Sequence, residues 1–335
     1  MRAIVLKEAG GPEVMSIGEL PEPVLREGDV LVGVRAAGLN RADLLQRMGF
    51  YPPPPGEPET LGLEVSGEVL ALGPGACVGA HGRPLHVGER VMALLAGGGY
   101  AERARVPAAQ CLSIPAGLSF EQAAAIPEVF LTAHLNLTLL GRLAAGEVVV
   151  VHAAGSGVGT AALQLCRGIA RVIVATASEG KLERCRSLGA THVLARERVA
   201  EGLKDAVKQA AGRGADLILD CVGGSYLEAN IAALGLHGRL CCISTAGGAE
   251  GTLHLGALLG KRLSVLGSTL RTRTAAQKAK LCRHFSEHVL PRFERQEGAL
   301  VLAPVLAQAL PWTEVAQAHA QLEANDVFGK LVLRM

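Results

Sequence analysis

The chain has 335 residues and balances 33 Lys and Arg against 31 Asp and Glu, so bulk electrostatics offers nothing to a nucleic acid or an anionic membrane. Aromatic residues make up only 3%, too few for the stacking platforms that hold single-stranded nucleic acid. The length suggests two domains, and eight scattered cysteines without framework spacing point to reduced thiols and a cytoplasmic setting.

The first residues, Met1-Arg2-Ala3-Ile4-Val5-Leu6, go straight into a strand pattern. Neither a signal-like apolar run nor a membrane span of about 18 residues is expected anywhere. Strands are expected at Ala3–Leu6, Asp29–Ala36, Glu64–Leu72, Glu89–Ala93 and Tyr100–Val106, separated by turn signals such as Gly10-Gly11-Pro12 and Gly73-Pro74-Gly75. Short strands so spaced suggest a compact barrel-like domain over residues 1–125. Within it, Leu39–Arg47 reads as a short helical turn leading to Gly49-Phe50-Tyr51 and a four-proline loop. Ser119 with Gln122 forms a capping box, and the helix it opens meets Pro127 and resumes to Leu140.

From Glu147 the pattern changes. The β-branched run Val148–His152 reads as a buried parallel strand. It is followed by Gly155-Ser156-Gly157-Val158-Gly159 and then by an Ala/Leu-rich helix. Strand, glycine turn and helix in that order make a dinucleotide site: the backbone can approach a pyrophosphate and the helix N-terminus offers N–H groups to it. The glycine spacing departs from G-x-G-x-x-G, so the turn alone is a weak signal. Further strands are expected at Arg171–Thr176, His192–Leu194, Ala215–Asp220, Arg239–Ile243 and Arg262–Gly267, with helices between them and a capping box at Ser225–Glu228. This alternation predicts an α/β Rossmann unit, a doubly wound parallel sheet, over residues 126–268. Thr274 and Gln277 cap a later helix, another is expected near Glu314–Asn325, and the final strand Lys330–Leu333 is expected to return residues 269–335 to the first domain.

Several segments together resemble one family over the full length. They are Ala37–Leu44, Gly49–Gly56, Leu61–Glu64, Ala123–Glu128, Ser156–Gln164, Asp220–Tyr226 and Gly329–Val332. The chain resembles the zinc-free quinone oxidoreductases of the medium-chain dehydrogenase/reductase superfamily, and within them the tumour-suppressor-inducible branch. The resemblance implies a GroES-like β-rich catalytic domain made from both chain ends, with a Rossmann domain between. It also implies a homodimer in which Arg262–Gly267 pairs with its symmetry mate. Zinc relatives carry a cysteine and a histidine where this chain has Asn40 and Leu63, and neither can replace a thiolate or imidazole ligand. Cys77, His81 and His86 fall close together, but lack a fourth ligand, so incidental loop residues are the better reading.

By the same resemblance Asn40 and Tyr51 lie at the nicotinamide end of the site, where an amide and a phenol could bond a substrate oxygen as charge builds there. The bland alternatives are a turn-capping Asn40 and a Tyr51 that packs on the proline loop. Thr132 matches a family threonine beside the nicotinamide, and Asp43 is expected to fix the local helix. Ser156 is expected to give its N–H and hydroxyl to the cofactor, beside Gly157, Val158 and Gly159. The second strand ends Ala175-Thr176-Ala177-Ser178 with no acid at its tip. Ser178, Lys181 and Arg196 are therefore expected around a 2′-phosphate, favouring NADPH, although Glu179 has the spacing of an NAD-type acid. Ser244 to Gly247 and Ser268, Thr269 and Leu270 occupy the loops after the fifth and sixth strands, and Lys330 is placed at the cofactor as well. The expectation is an NADPH-dependent reductase of small-molecule quinones. One alternative keeps the fold and reduces α,β-unsaturated carbonyls; another is a non-catalytic NADPH-binding structural or RNA-binding protein.

Overall fold

The computed structural model describes residues 1–294 and 300–335. They form two units: Met1–Leu131 with Leu270–Met335, and Thr132–Thr269.

The first unit is β-rich. β1 (Arg2–Leu6) pairs antiparallel with β2 (Met15–Glu19). β3 (Asp29–Gly38), β4 (Glu64–Leu72), β5 (Arg90–Leu94), β6 (Arg103–Pro107) and β7 (Cys111–Ser113) follow. β3 is the hub, pairing with both β4 and β6. Its valines at 30, 32 and 34 alternate along the strand into a core shared with Ile4, Val65, Val69, Val91, Tyr100 and Val106. β2 and β7 were not expected, because β2 is half exposed and β7 spans only three residues. α1 (Arg41–Arg47) follows β3, and α2 (Phe120–Ala123) opens with the expected Ser119–Gln122 capping box. Pro127 then begins α3 (Pro127–His134), and residues 135–140 continue as a π-helical turn. Contrary to the sequence reading, residues 120–140 are long and apolar enough to cross a bilayer. However, 72% of that window is buried, as in the core helix of a folded protein.

The second unit holds β8 (Val148–Val151), α4 (Gly157–Cys166), β9 (Val172–Ala177), α5 (Leu182–Ser187), β10 (His192–Ala195), α6 (Val199–Ala211), β11 (Ala215–Asp220), α7 (Leu227–Ala233), β12 (Leu234–Cys242), α8 (Leu255–Lys261) and β13 (Ser264–Gly267). The strands form one six-stranded sheet in the order β10-β9-β8-β11-β12-β13. Every pairing is parallel, so each connection needs a crossover, and the intervening helices supply it. The chain winds outward from β8 to β10, then resumes on the other side at β11. The carboxyl ends of β8 and β11 therefore flank the topological switch point where such sheets bind ligands. β13 is an edge strand, and its Val265 is 41% exposed. The capping box expected at Ser225 does not form. Gly224–Tyr226 is a 3-10 turn, α7 starts at Leu227 without a side-chain cap, and the Ser225 N–H donates instead to Gly247 O at 3.2 Å.

The chain then returns to the β-rich unit. α9 (Ala275–His288) carries the expected Thr274–Gln277 capping box. β14 (Leu306–Pro311), unanticipated, and α10 (Val315–Glu323) precede β15 (Lys330–Arg334). β15 lies between β14, to which it is parallel, and β3, to which it is antiparallel. The last strand thus completes the seven-stranded sheet built around β3, apart from the two-stranded sheet of β1 and β2.

Candidate functional site

The glycine turn leaves β8 at the switch point. Ala153 takes φ 47°, a left-handed conformation that turns the chain sharply. Ser156 caps α4: its Oγ accepts the Gly159 N–H at 3.1 Å, and its own N–H donates to Ala153 O at 2.8 Å. The Ser156 N–H is therefore committed to the turn, which corrects the expectation that it would reach a cofactor, while its hydroxyl, an acceptor in the turn, keeps its own hydrogen to donate. The N–H groups of Gly157 and Val158 have no partner among the described residues. They lie in the first turn of a ten-residue helix, where two open donors and the helix dipole fit a pyrophosphate. A Cβ at Gly159 would sit 2.4 Å from Ala153 O and 2.5 Å from Ala154 Cα, so only glycine lets the helix pack this close to the strand.

Next to the turn, Ala177 and Ala195 are register partners at the ends of β9 and β10. Ser178 and Arg196, one residue further, therefore leave adjacent strands at the same end of the sheet. Ser178 heads the 3-10 turn Glu179–Lys181, so Lys181 and the exposed Glu179 share that turn. The exposed Arg196 holds Glu197 through Nε at 2.8 Å. This end offers both cations and an acid.

On the far side of the switch point, Gly247 packs so closely that a Cβ there would meet Ser225 Oγ at 2.5 Å and Val222 Cγ1 at 2.6 Å. The Ser244 hydroxyl accepts from the Ala246 N–H. Ser268 donates its hydroxyl to Asn136 Oδ1 at 2.7 Å and its N–H to Cys242 O, so both of its hydrogens serve the fold, while its hydroxyl oxygen can still accept. Thr132 and Thr269 are the first and last residues of the nucleotide-binding unit, and Leu270 opens the return segment as a buried residue of the β-rich unit. The hydroxyl of Thr132 lies on a buried residue whose carbonyl accepts Asn136 Nδ2 at 2.9 Å.

In the β-rich unit the polar residues converge on Glu64, which is fully buried on β4. Its Oε1 accepts from Asn40 Nδ2 at 2.9 Å and from Lys330 Nζ, while its Oε2 accepts the Glu128 backbone N–H at 2.8 Å. Lys330 Nζ also donates to Leu39 O and to Asn40 Oδ1, the latter at 2.8 Å. An ammonium has three donors, and all three are used inside this unit. Lys330 is therefore a holder of Asn40, not the cofactor contact the sequence suggested. With its oxygen on a cation and one N–H on a carboxylate, the Asn40 amide has a fixed orientation and one N–H still to give. Asn40 is also the N-cap of α1, in a capping box with Asp43, whose Oδ2 accepts the Asn40 N–H at 2.8 Å and whose Oδ1 accepts the Gly62 N–H at 3.0 Å. Burial pushes the Asp43 carboxyl up to about 6, against these two backbone donors.

Tyr51 is half-buried beneath Arg271. The guanidinium lies 5.2 Å from the Tyr51 ring centroid and donates to Tyr51 O at 3.1 Å, to Gln46 Oε1 at 2.6 Å and to Ala96 O at 2.8 Å. The Tyr51 hydroxyl has no hydrogen-bond partner among the described residues, and burial raises its pKa, so it stays a neutral donor at ordinary pH. Burial, reinforced by the charge of Glu64, lifts the Glu128 carboxyl to about 8. Sequence reasoning assigned no role to Glu64, Glu128 or Arg271. The available signal was a Glu inside the apolar run Leu61–Val65 and a Lys opening an apolar strand, since charges buried in strands must find partners.

Cys77, His81 and His86 do not converge. The Cys77 thiol points to Asp29 O at 3.3 Å, His81 faces Glu89 at 3.4 Å, and His86 is exposed. Among the described residues no group of three or more His, Cys, Asp and Glu side chains could hold a metal ion.

Two family models match the chain: the alcohol dehydrogenase GroES-like domain over residues 26–116 and the zinc-binding dehydrogenase over residues 157–285. A quinone oxidoreductase of Lama guanicoe is 30% identical over 99% of this chain and 97% of its own length. A synaptic vesicle membrane protein VAT-1 homolog of Rattus norvegicus is also 30% identical, over 99% of this chain and 84% of its own. Among solved structures, the quinone oxidoreductase of Thermus thermophilus, studied with its NADPH complex, aligns with a TM-score of 0.78 and 34% identity, covering 100% of both chains. The CurK enoyl reductase aligns with a TM-score of 0.82 and 26% identity over 100% of this chain and 99% of that one.

Proposed function

We propose that this chain, which belongs to the medium-chain dehydrogenase/reductase superfamily, is an NADPH-dependent, zinc-independent reductase of quinones. The observation that carries the reading is the Asn40 amide, clamped between Lys330 and Glu64 with one N–H left to offer. A clamped amide can bond a carbonyl oxygen but cannot hold a catalytic metal as a thiolate would. NADPH, when bound, supplies the hydride. Gly157 and Val158 would hold its pyrophosphate through their open N–H groups, and Ser178 and Arg196 its 2′-phosphate.

The remaining chemistry belongs to the β-rich unit. Asn40 Nδ2–H meets the substrate oxygen as negative charge develops there, and because Lys330 and Glu64 have already fixed the amide, no reorganisation is needed at that moment. Tyr51 keeps its proton and can deliver it to that oxygen. Arg271 holds the tyrosine by stacking on its ring and bonding its carbonyl. Glu128 is protonated near neutral pH and close enough to raise the Tyr51 pKa, so it is a second proton reservoir.

A second reading, reduction of α,β-unsaturated carbonyls, is favoured by the likeness to an enoyl reductase. It needs the same donor at the carbonyl oxygen. The assay is oxidation of NADPH with a panel of quinones and enones, before and after chelation. Faster turnover of quinones, unchanged by chelator, is the expected result. Preference for enones moves the assignment to the second reading, and loss of activity with a stoichiometric metal overturns zinc independence.

We also propose a homodimer built at the β13 edge. An exposed apolar edge strand is an aggregation liability unless it is paired, and a two-fold partner would extend the sheet.

A further inference from the structure

Behind the glycine turn lies a buried chain of hydrogen bonds that the proposed chemistry does not use. His152, the residue between β8 and the turn, is completely buried, as is Asn230 on α7, and Thr176 on β9 is 1% exposed. Asp220 ends β11. Its Oδ1 accepts the N–H groups of Val222 at 2.7 Å and Gly223 at 3.0 Å, and its Oδ2 accepts Asn230 Nδ2 at 3.1 Å. A carboxylate has no hydrogen to give, so the Asn230 amide must direct its oxygen the other way. That oxygen lies 2.7 Å from His152 Nε2, which must therefore carry a hydrogen. Burial favours the neutral ring, leaving Nδ1 as an acceptor, and Thr176 Oγ1 donates to it at 2.8 Å. The direction of every bond is thus set, from Thr176 through His152 and Asn230 to Asp220.

The two ends of this chain hold different loops. Thr176 stands two residues before Ser178, at the end that would meet the 2′-phosphate. On the same side Tyr226 packs edge-on against His152, with ring centroids 4.9 Å apart, and donates its hydroxyl to Arg196 O at 3.1 Å. Asp220, at the other end, ties down the 221–224 loop. That loop is laced to 244–248 by the bonds Gly247 N–H to Val222 O at 2.7 Å and Gly224 N–H to Gly248 O at 2.9 Å.

We propose that His152 is a positioning residue that sets cofactor selectivity, its Nδ1 fixing the phosphate-reading loop and its Nε2–H fixing the loops on the far side of the switch point. The inference rests on the NADPH reading. It predicts that the two nitrogens have separable effects, which a residue that merely fills space would not show.

His152→Gln puts an amide N–H near the Nε2 position and offers nothing at Nδ1. His152→Asn puts an oxygen near Nδ1 and cannot reach Asn230. Thr176→Val removes the donor to Nδ1 with little change of shape. The readouts are dissociation constants of the full-length protein for NADPH, NADH and adenosine 2′,5′-bisphosphate, with thermal unfolding as the control for folding. His152→Gln and Thr176→Val should each cut the NADPH-over-NADH ratio at least three-fold and weaken the bisphosphate. His152→Asn should weaken both dinucleotides by a common factor and leave the ratio and the bisphosphate unchanged. Equal effects of the Gln and Asn variants on the ratio, or an unchanged ratio in Thr176→Val, would overturn the proposal. Wild-type protein that binds no NADPH would overturn the cofactor reading, and this inference with it, whereas tight wild-type binding with no split overturns the inference alone.

Discussion

Replacing Lys330 by Met tests the clamp around Asn40 most directly. The stem keeps its length, so little packing is lost, but the ammonium disappears from a site where Lys330 and Glu64 side chains are 4% and 0% exposed. Glu64 would keep the Asn40 Nδ2 and Glu128 N–H donors and lose its counter-ion. Breaking a buried pair in this way costs about 3–5 kcal/mol, because the remaining charge is left uncompensated. For a unit of this size each kcal/mol lowers Tm by about 2–4 °C, so a fall of about 6–20 °C is expected. The double variant Lys330→Met/Glu64→Gln removes both charges and should recover most of that loss, giving a large coupling energy in the thermodynamic cycle. Activity should not follow stability back. In both variants the Asn40 oxygen loses its cationic partner, the amide can rotate, and kcat/KM should stay about 10²-fold down, the scale for a lost preorganised donor. Thermal unfolding and steady-state kinetics on Lys330→Met, Glu64→Gln and the double variant decide the matter. A loss below about 1 kcal/mol in Lys330→Met would mean the pair behaves like an exposed one. A double variant no more stable than the single would show that the stranded carboxylate is not the cause.

Glu128 makes stability depend on pH. Its folded pKa, about 8, lies above the ordinary value of 4.5, so between those values the folded state holds a proton the unfolded state has lost. Stability should fall as pH rises through that window, by at most about 1.4 kcal/mol per unit, and Glu128→Gln should flatten the curve; a wild-type profile equal to the variant's would refute this. Gly159→Ala forces a Cβ against two backbone atoms at 2.4 and 2.5 Å; it should destabilise by about 1–3 kcal/mol and weaken NADPH at least ten-fold in a fluorescence titration, and unchanged binding would remove the turn from the cofactor site. Val265→Pro places a ring in the β13 edge and should give monomer or aggregate in light scattering; a wild-type monomer would dispose of the dimer, and a dimeric Val265→Pro protein would move the interface elsewhere.

The nucleotide-binding unit was the more legible in sequence, because its signals are local. A run of valines, a glycine turn and a capping serine sit side by side, and the parallel order follows from the βα alternation. Strands without such a signal were missed: β7 is three residues long, and β14 has no alternation that separates it from loop. The β-rich site was legible only as single residues. Asn40 and Tyr51 could be named, but the bonds that give Asn40 its role join residues 24 and 290 positions apart. No local pattern encodes such pairings. Lys330 was misassigned because nothing in its local sequence shows the three acceptors that take its protons. Ser268 shows the same limit: a hydroxyl beside a binding loop looks free to donate until a neighbouring amide takes its hydrogen.

The position of β15 also governs the order in which the protein can mature on the ribosome. The Rossmann sheet is one continuous stretch of chain, complete once Thr269 has emerged. The β-rich sheet must wait for Lys330–Arg334 to enter between β14 and β3. Until then Glu64 has no cation and Asn40 no fixed amide. A nascent chain can therefore fold its dinucleotide unit early while its substrate-side polar network is still unformed. At about 5–20 residues per second, the 61 positions from Thr269 to Lys330 separate the two events by several seconds. The proposed reductase site can thus form only after β15 has been synthesised.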